Sequence, residues 1–175
     1  MNKYIAFLRA INVGGTSIIK MSELKKMFEL FGLENVQTYI QTGNVIFESE
    51  EKDASVLEAQ LERQIEKARG KKIQLFVRTI REVTAIVKTC PFDPKEGETA
   101  YVVILDEKPT KKNIEALLAY RNEFDDFAVK GKEAYHLRRS REKTMFVNRS
   151  VEQVVSVPGT SRNLTTIKKL AEKYA

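Results

Sequence analysis

The order in which the hydrophobic period switches along residues 1–78 constrains this chain more than any single motif. Tyr4-Ile5-Ala6-Phe7-Leu8 is an uninterrupted apolar run, the pattern of a central strand buried on both faces. Leu24, Met27, Phe28 and Phe31 then recur at helical spacing, with Gly32 placed to stop the helix. Val36 to Ile40 and Val45 to Phe47 flank the turn residues Thr42-Gly43-Asn44, which reads as a hairpin. Val56, Leu57, Leu61, Ile65 and Ala68 restore the helical period up to Gly70, and Ile73, Leu75 and Val77 alternate as a fourth strand. Strand, helix, two strands, helix, strand is the order of a ferredoxin-like unit.

The rest of the chain repeats the theme less cleanly. Thr79 is placed to cap a helix through Val83, Ile86 and Val87, which Pro91 ends. Residues 99–105 read as a buried strand, and Ile114, Leu117 and Leu118 mark a helix. Phe127 to Val129 and Ala134 to Leu137 flank Lys130-Gly131-Lys132 as a second hairpin. Residues 145–155 fit a helix or a strand equally well. Residues 158–163 read as the loop that opens a terminal helix, with Asn163 as N-cap and Ile167, Leu170 and Ala171 on one face. No Gly/Ser/Pro-rich linker is visible, and each half alone is small for a stable core. The expected architecture is therefore α+β: two ferredoxin-like (βαββαβ-type) units, 1–78 and 79–175, docked together, with an added C-terminal helix.

Composition excludes several classes. No window holds about 18 consecutive apolar residues, so no membrane span is expected. The opening apolar run breaks at Arg9, too early for a signal peptide, and the expected compartment is cytoplasmic. The single cysteine, Cys90, excludes an internal disulfide and a Cys-only metal site. His136 is the only histidine and reads as a structural strand residue. Asp106-Glu107 and Asp125-Asp126 read as solvated loop acids. No His/Cys/Asp cluster has metal-ligand spacing, so no metal and no cofactor is expected. The net charge of +6 and pI near 9.3 are mild, with only Arg138, Arg139, Arg141 and Lys143 clustered. That predicts weak, salt-sensitive, non-specific nucleic-acid binding at most.

Three loop motifs are richer in donors than packing requires. Arg9-Ala10-Ile11-Asn12-Val13-Gly14-Gly15-Thr16 follows a strand and precedes a helix, where glycine amides can cradle an anion beside Arg9 and Asn12. It is neither a Walker A loop nor a Gly-x-Gly-x-x-Gly fingerprint. Gln41 and Asn44 add amide groups near the first hairpin tip. Thr160, Ser161, Arg162 and Asn163 put hydroxyls and a guanidinium at a helix N-terminus, where amides and dipole favour negative charge.

These residues also resemble a family. Tyr4 to Gly15, Met21 and Leu24, Thr38 to Val45, Pro91-Phe92 and Thr160 to Thr166 are similar to the bacterial domain of unknown function 1697. The similarity runs from residue 4 to about residue 170. The family more commonly has glycine where Ala10 stands, serine where Thr42 stands and tryptophan where Leu164 stands. The resemblance implies a pair of ferredoxin-like units and no reaction.

Three functional readings follow: a binding module for an anionic ligand (nucleotide, phosphorylated metabolite or nucleic acid), an enzyme acting on a phosphorylated small molecule, and a non-catalytic interaction or scaffold protein. The first places Arg9, Asn12, Gly14 and Gly15 with Arg162 and Asn163 at an inter-domain cleft, because two arginines on one cleft repel unless an anion lies between them. Gln41 to Asn44 is expected at the other end of the first strand, fixing a tight turn.

Overall fold

The computed structural model describes residues 1–10 and 19–175. Backbone contacts divide the chain into Met1–Glu82 and Val83–Ala175. The first unit runs β1 (Asn2–Leu8), α1 (Met21–Leu30), β2 (Glu34–Tyr39), β3 (Asn44–Ser49), α2 (Ala54–Arg69) and β4 (Leu75–Thr79). Its sheet has the order β2-β3-β1-β4, with every neighbouring pair antiparallel.

Sequence chemistry accounts for the boundaries. The Asp53 side chain accepts from the Ser55 N–H and starts α2, and Gly70, at φ 67°, ends it in the left-handed region. Tyr4, Ala6 and Leu8 of β1 pack with Leu24 and Phe28 of α1 and Leu57, Leu61 and Ile65 of α2 in one apolar cluster. Phe47 lies at its centre, stacked on Tyr4 at 5.7 Å and edge-on to Phe28 at 5.7 Å. Ile5 and Phe7 are equally buried, so β1 is enclosed on both faces. The outward N–H groups of edge strand β4 all meet carboxylates: Leu75 donates to Glu62 at 3.1 Å, Val77 to Glu58 at 2.7 Å and Thr79 to Glu82 at 2.7 Å.

Helix α3 (Ile80–Thr89) joins the units, and the Thr79 hydroxyl caps it through the Glu82 N–H. The second unit continues with β5 (Thr99–Leu105), α4 (Lys111–Leu118), β6 (Asp125–Lys130), β7 (Glu133–Arg138), α5 (Val151–Val155), β8 (Gly159–Asn163) and α6 (Leu164–Tyr174). Its sheet order, β6-β7-β5-β8, reproduces the first. Both units are thus ferredoxin-like in strand order, and the fold is α+β with a C-terminal helix.

One element departs from expectation. Residues 159–163 are a fourth strand, not a loop. This strand holds no large apolar residue, so the alternation that marks other strands is missing, yet Thr160 and Arg162 are buried on one face. Gly159 is needed where β8 meets β5 and α5. A Cβ there would stand 2.7 Å from the Ile104 carbonyl oxygen and 3.1 Å from Glu152 Cγ.

Candidate functional site

The first unit gathers sequence-marked residues at one end of its sheet. β1 pairs with β3 rather than β2, with Phe7 opposite Asn44, and the Leu8 N–H donates to the Gly43 carbonyl at 2.9 Å. The hairpin tip therefore stands at the end of β1 beside Arg9, the reverse of the expected placement. Arg9 is exposed and donates to Gln74 Oε1 at 2.9 Å. Asn44 is fully buried, and its amide donates to the Tyr39 carbonyl at 3.0 Å and the Thr42 hydroxyl at 2.9 Å. Ala10 and Ile40 both adopt left-handed φ, 52° and 50°, and for β-branched Ile40 that is strained. Asn12, Gly14 and Gly15 lie outside the described residues.

In the second unit the marked residues separate. Arg162 is buried in β8, where it donates to the Thr160 hydroxyl at 2.8 Å and the Ser161 carbonyl at 2.9 Å. Burial lowers its pKa to about 10, which leaves it charged at neutral pH. The Asn163 side chain accepts from the Thr165 N–H at 2.9 Å and so caps α6. Ser161 points the other way and lines a cavity of about 270 Å³ with Tyr101, His136, Arg138, Phe146 and Arg149. Arg138 lies over the Tyr101 ring, 5.2 Å from its centroid. Arg139, next in sequence, turns instead to Asp126 at 3.5 Å.

A buried polar network underlies this cavity. Asp125 is fully buried at the start of β6 and receives the Thr144 hydroxyl at 2.6 Å, the Met145 N–H at 2.8 Å and the Asn122 amide at 3.2 Å. His136 Nε2 lies 2.9 Å from the same carboxylate, and its ring stacks on Phe127 at 4.6 Å. Burial alone would raise the Asp125 pKa, but its hydrogen bonds outweigh that and hold it below the usual carboxylate value. Burial, with a smaller push from Arg138, lowers the His136 pKa against the pull of Asp125. At neutral pH the pair is carboxylate and neutral imidazole, with the proton on Nε2.

A family model described as a protein of unknown function, DUF1697, matches residues 1–135. The chain belongs to the DUF1697 family. A solved structure described as the conserved bacterial protein SP0830 from Streptococcus pneumoniae is similar in fold. It has a TM-score of 0.78 at 20% identity, over 98% of this chain and 97% of that one. No curated protein matches the chain.

For this DUF1697 protein the cavity offers a cation, an aromatic wall and a neutral imidazole within one unit. Asp125, expected as a solvated loop acid, is instead the most enclosed acid of that unit. The hairpin held the signal. A two-residue turn at Gly131-Lys132 pairs Lys130 with Glu133, which sets Phe127 opposite His136 and Asp125 one step along the same face. Cys90 contributes nothing here: burial pushes its thiol up, and its Sγ lies 3.6 Å from the Phe92 carbonyl. Among the described residues, no group of three His, Cys, Asp or Glu side chains could hold a metal ion.

Proposed function

We propose that this DUF1697 protein is a binding module for a small anionic ligand, held in the second unit's cavity with Arg138 as its charged contact. One observation carries the reading. Arg138 is half-buried over Tyr101 on the cavity wall, with no hydrogen-bond or ion-pair partner among the described residues. A guanidinium taken partly out of water without a carboxylate is costly unless an anion completes it. Glu152, the acid on the same wall, pairs with neither Arg138 nor Arg149. Arg149 instead donates to the Tyr120 hydroxyl at 2.6 Å and lies over its ring.

The experiment is a thermal-shift screen of nucleotides, phosphorylated metabolites and inorganic phosphate on the full chain. A ligand at 100 times its Kd adds about 2.7 kcal/mol to the stability of the state that binds it. An Arg138→Gln variant should keep the unliganded Tm and lose the ligand-induced rise. A flat screen, or a rise that survives Arg138→Gln, overturns the reading.

A further inference from the structure

Resting on that reading, we propose that the ligand is a phosphomonoester bearing a planar ring, of mononucleotide size, and that it binds together with one proton taken up by His136. The argument begins with the imidazole's second nitrogen. Asp125 holds the Nε2 proton at 2.9 Å, and no described residue bonds Nδ1. No buried side-chain nitrogen or oxygen lacks a partner among the described residues, so Nδ1 has solvent access, and His136 lines the cavity. The accessible lone pair therefore belongs to a ring that lines the same cavity as Arg138.

His136 and Arg138 are alternate residues of β7, so both side chains leave the same face of the sheet about 7 Å apart. That spacing lets the oxygens of one phosphate reach both groups. In the free protein a second cation beside Arg138 is disfavoured by burial and by repulsion, and His136 stays neutral. A dianion between them reverses the balance, because protonated Nδ1 then donates a charge-assisted hydrogen bond to a phosphate oxygen. The groups that set this balance come from every neighbouring element. They are Asp125 on β6, Tyr101 on β5, Arg138 on β7, and Arg149 and Glu152 from α5 and its approach.

The rest of the wall selects the ring. Tyr101, Phe146, Val103 and Val151 give the cavity an apolar side, with Phe146 edge-on to His136 at 5.3 Å. A planar ring fits against such a surface, whereas bare phosphate leaves it wet. At about 270 Å³ the cavity lies near the lower end of small-ligand sites, roughly 300–1,000 Å³.

The chain has a single histidine, so its imidazole resonances need no assignment. The experiment follows them by NMR against pH in the full-length protein, alone and with saturating adenosine monophosphate, inorganic phosphate or adenosine. The expected result is titration below 6.5 in the free protein and above it with adenosine monophosphate, with the proton added at Nδ1 and Nε2 protonated throughout. Between those two values the affinity falls up to tenfold per pH unit through this proton. His136→Gln, whose amide can still donate to Asp125, should lose that shift-linked part of the pH dependence.

Binding of adenosine monophosphate with an unmoved histidine titration overturns this inference and leaves the anion reading standing. Inorganic phosphate binding as tightly as adenosine monophosphate overturns the ring. Adenosine binding as tightly as its monophosphate overturns the anion reading itself, and no binding by any of the three overturns this inference, with the wider screen left to decide the anion reading.

Discussion

The two units use one plan and fill it differently. Leu8 and Leu105 end equivalent strands: each donates its N–H to a hairpin carbonyl, and the residue after it donates to the carbonyl just before the fourth strand. From that register Tyr4 stands opposite Phe47 as Tyr101 stands opposite His136, and Ile5 opposite Arg78 as Val102 opposite Arg162. Thr79 and Asn163, at the ends of the matching fourth strands, each cap the helix that follows. The divergence lies over the sheet. The first unit lays a 16-residue helix, α2, across it and buries Phe47 completely. The second has only the five-residue α5 at that position, puts histidine where the first has phenylalanine, and leaves a cavity. The same register position is core in one unit and cavity-lining in the other, where the cover is shorter and the ring is an imidazole, with strand order the same in both.

The sharpest way to break this comparison is to remove the acid that makes a buried histidine tolerable. Asp125→Ala strands the Asn122, Thr144, Met145 and His136 donors, and should cost about 3–5 kcal/mol, read by denaturant unfolding of the second unit. Phe47→Ala tests the matching position in the first unit and should cost about 3–5 kcal/mol through the cavity it leaves. If Phe47→Ala proves nearly neutral, the two positions differ in more than their cover. Gly159→Ala should cost about 1–3 kcal/mol, because the added methyl meets a backbone oxygen that cannot swing away; unchanged thermal stability would show that β8 can shift.

The smallest expected effect is on pH dependence. Burial depresses the His136 pKa, so as pH falls below about 6.5 the unfolded chain takes a proton that the native state refuses, and stability drops. Asp125, also depressed, adds stability above its ordinary value of 3.8 that is lost as pH falls through its lower native value. Both act in the same direction, toward weakening in acid. His136→Gln should flatten the unfolding free energy between pH 5 and pH 7 while leaving the loss at lower pH, and an unchanged slope would remove His136 from that window.

What the sequence made legible follows the same divide. In the first unit β1, β3, β4 and both helices carry apolar residues in their own pattern, and β2, with only Val36 buried, is legible from its place before the Thr42-Gly43-Asn44 turn. In the second unit β8 carries polar residues because Arg162 and Thr160 are buried by bonding one another, a satisfaction no periodicity reports. The place of the hairpin tip is a matter of topology that no local pattern carries: a β2 antiparallel to β1 would send the tip to the start of β1, whereas β1 pairs with β3, Phe7 opposite Asn44, and brings it to the end. The cavity's residues come from β5, β7, β8 and the approach to α5, so no local window contains them.

The carboxylates of Glu58, Glu62 and Glu82 along β4 have a consequence for how this molecule behaves in a crowd. A bare sheet margin offers a row of donors on which a stranger's strand can dock, and such docking begins many aggregates. Here all three outward donors are already taken by acids that α2 and α3 deliver. An incoming strand would have to displace them and would meet negative charge on arrival. Along β4 the first sheet is shut against self-templating by the chain's own side chains.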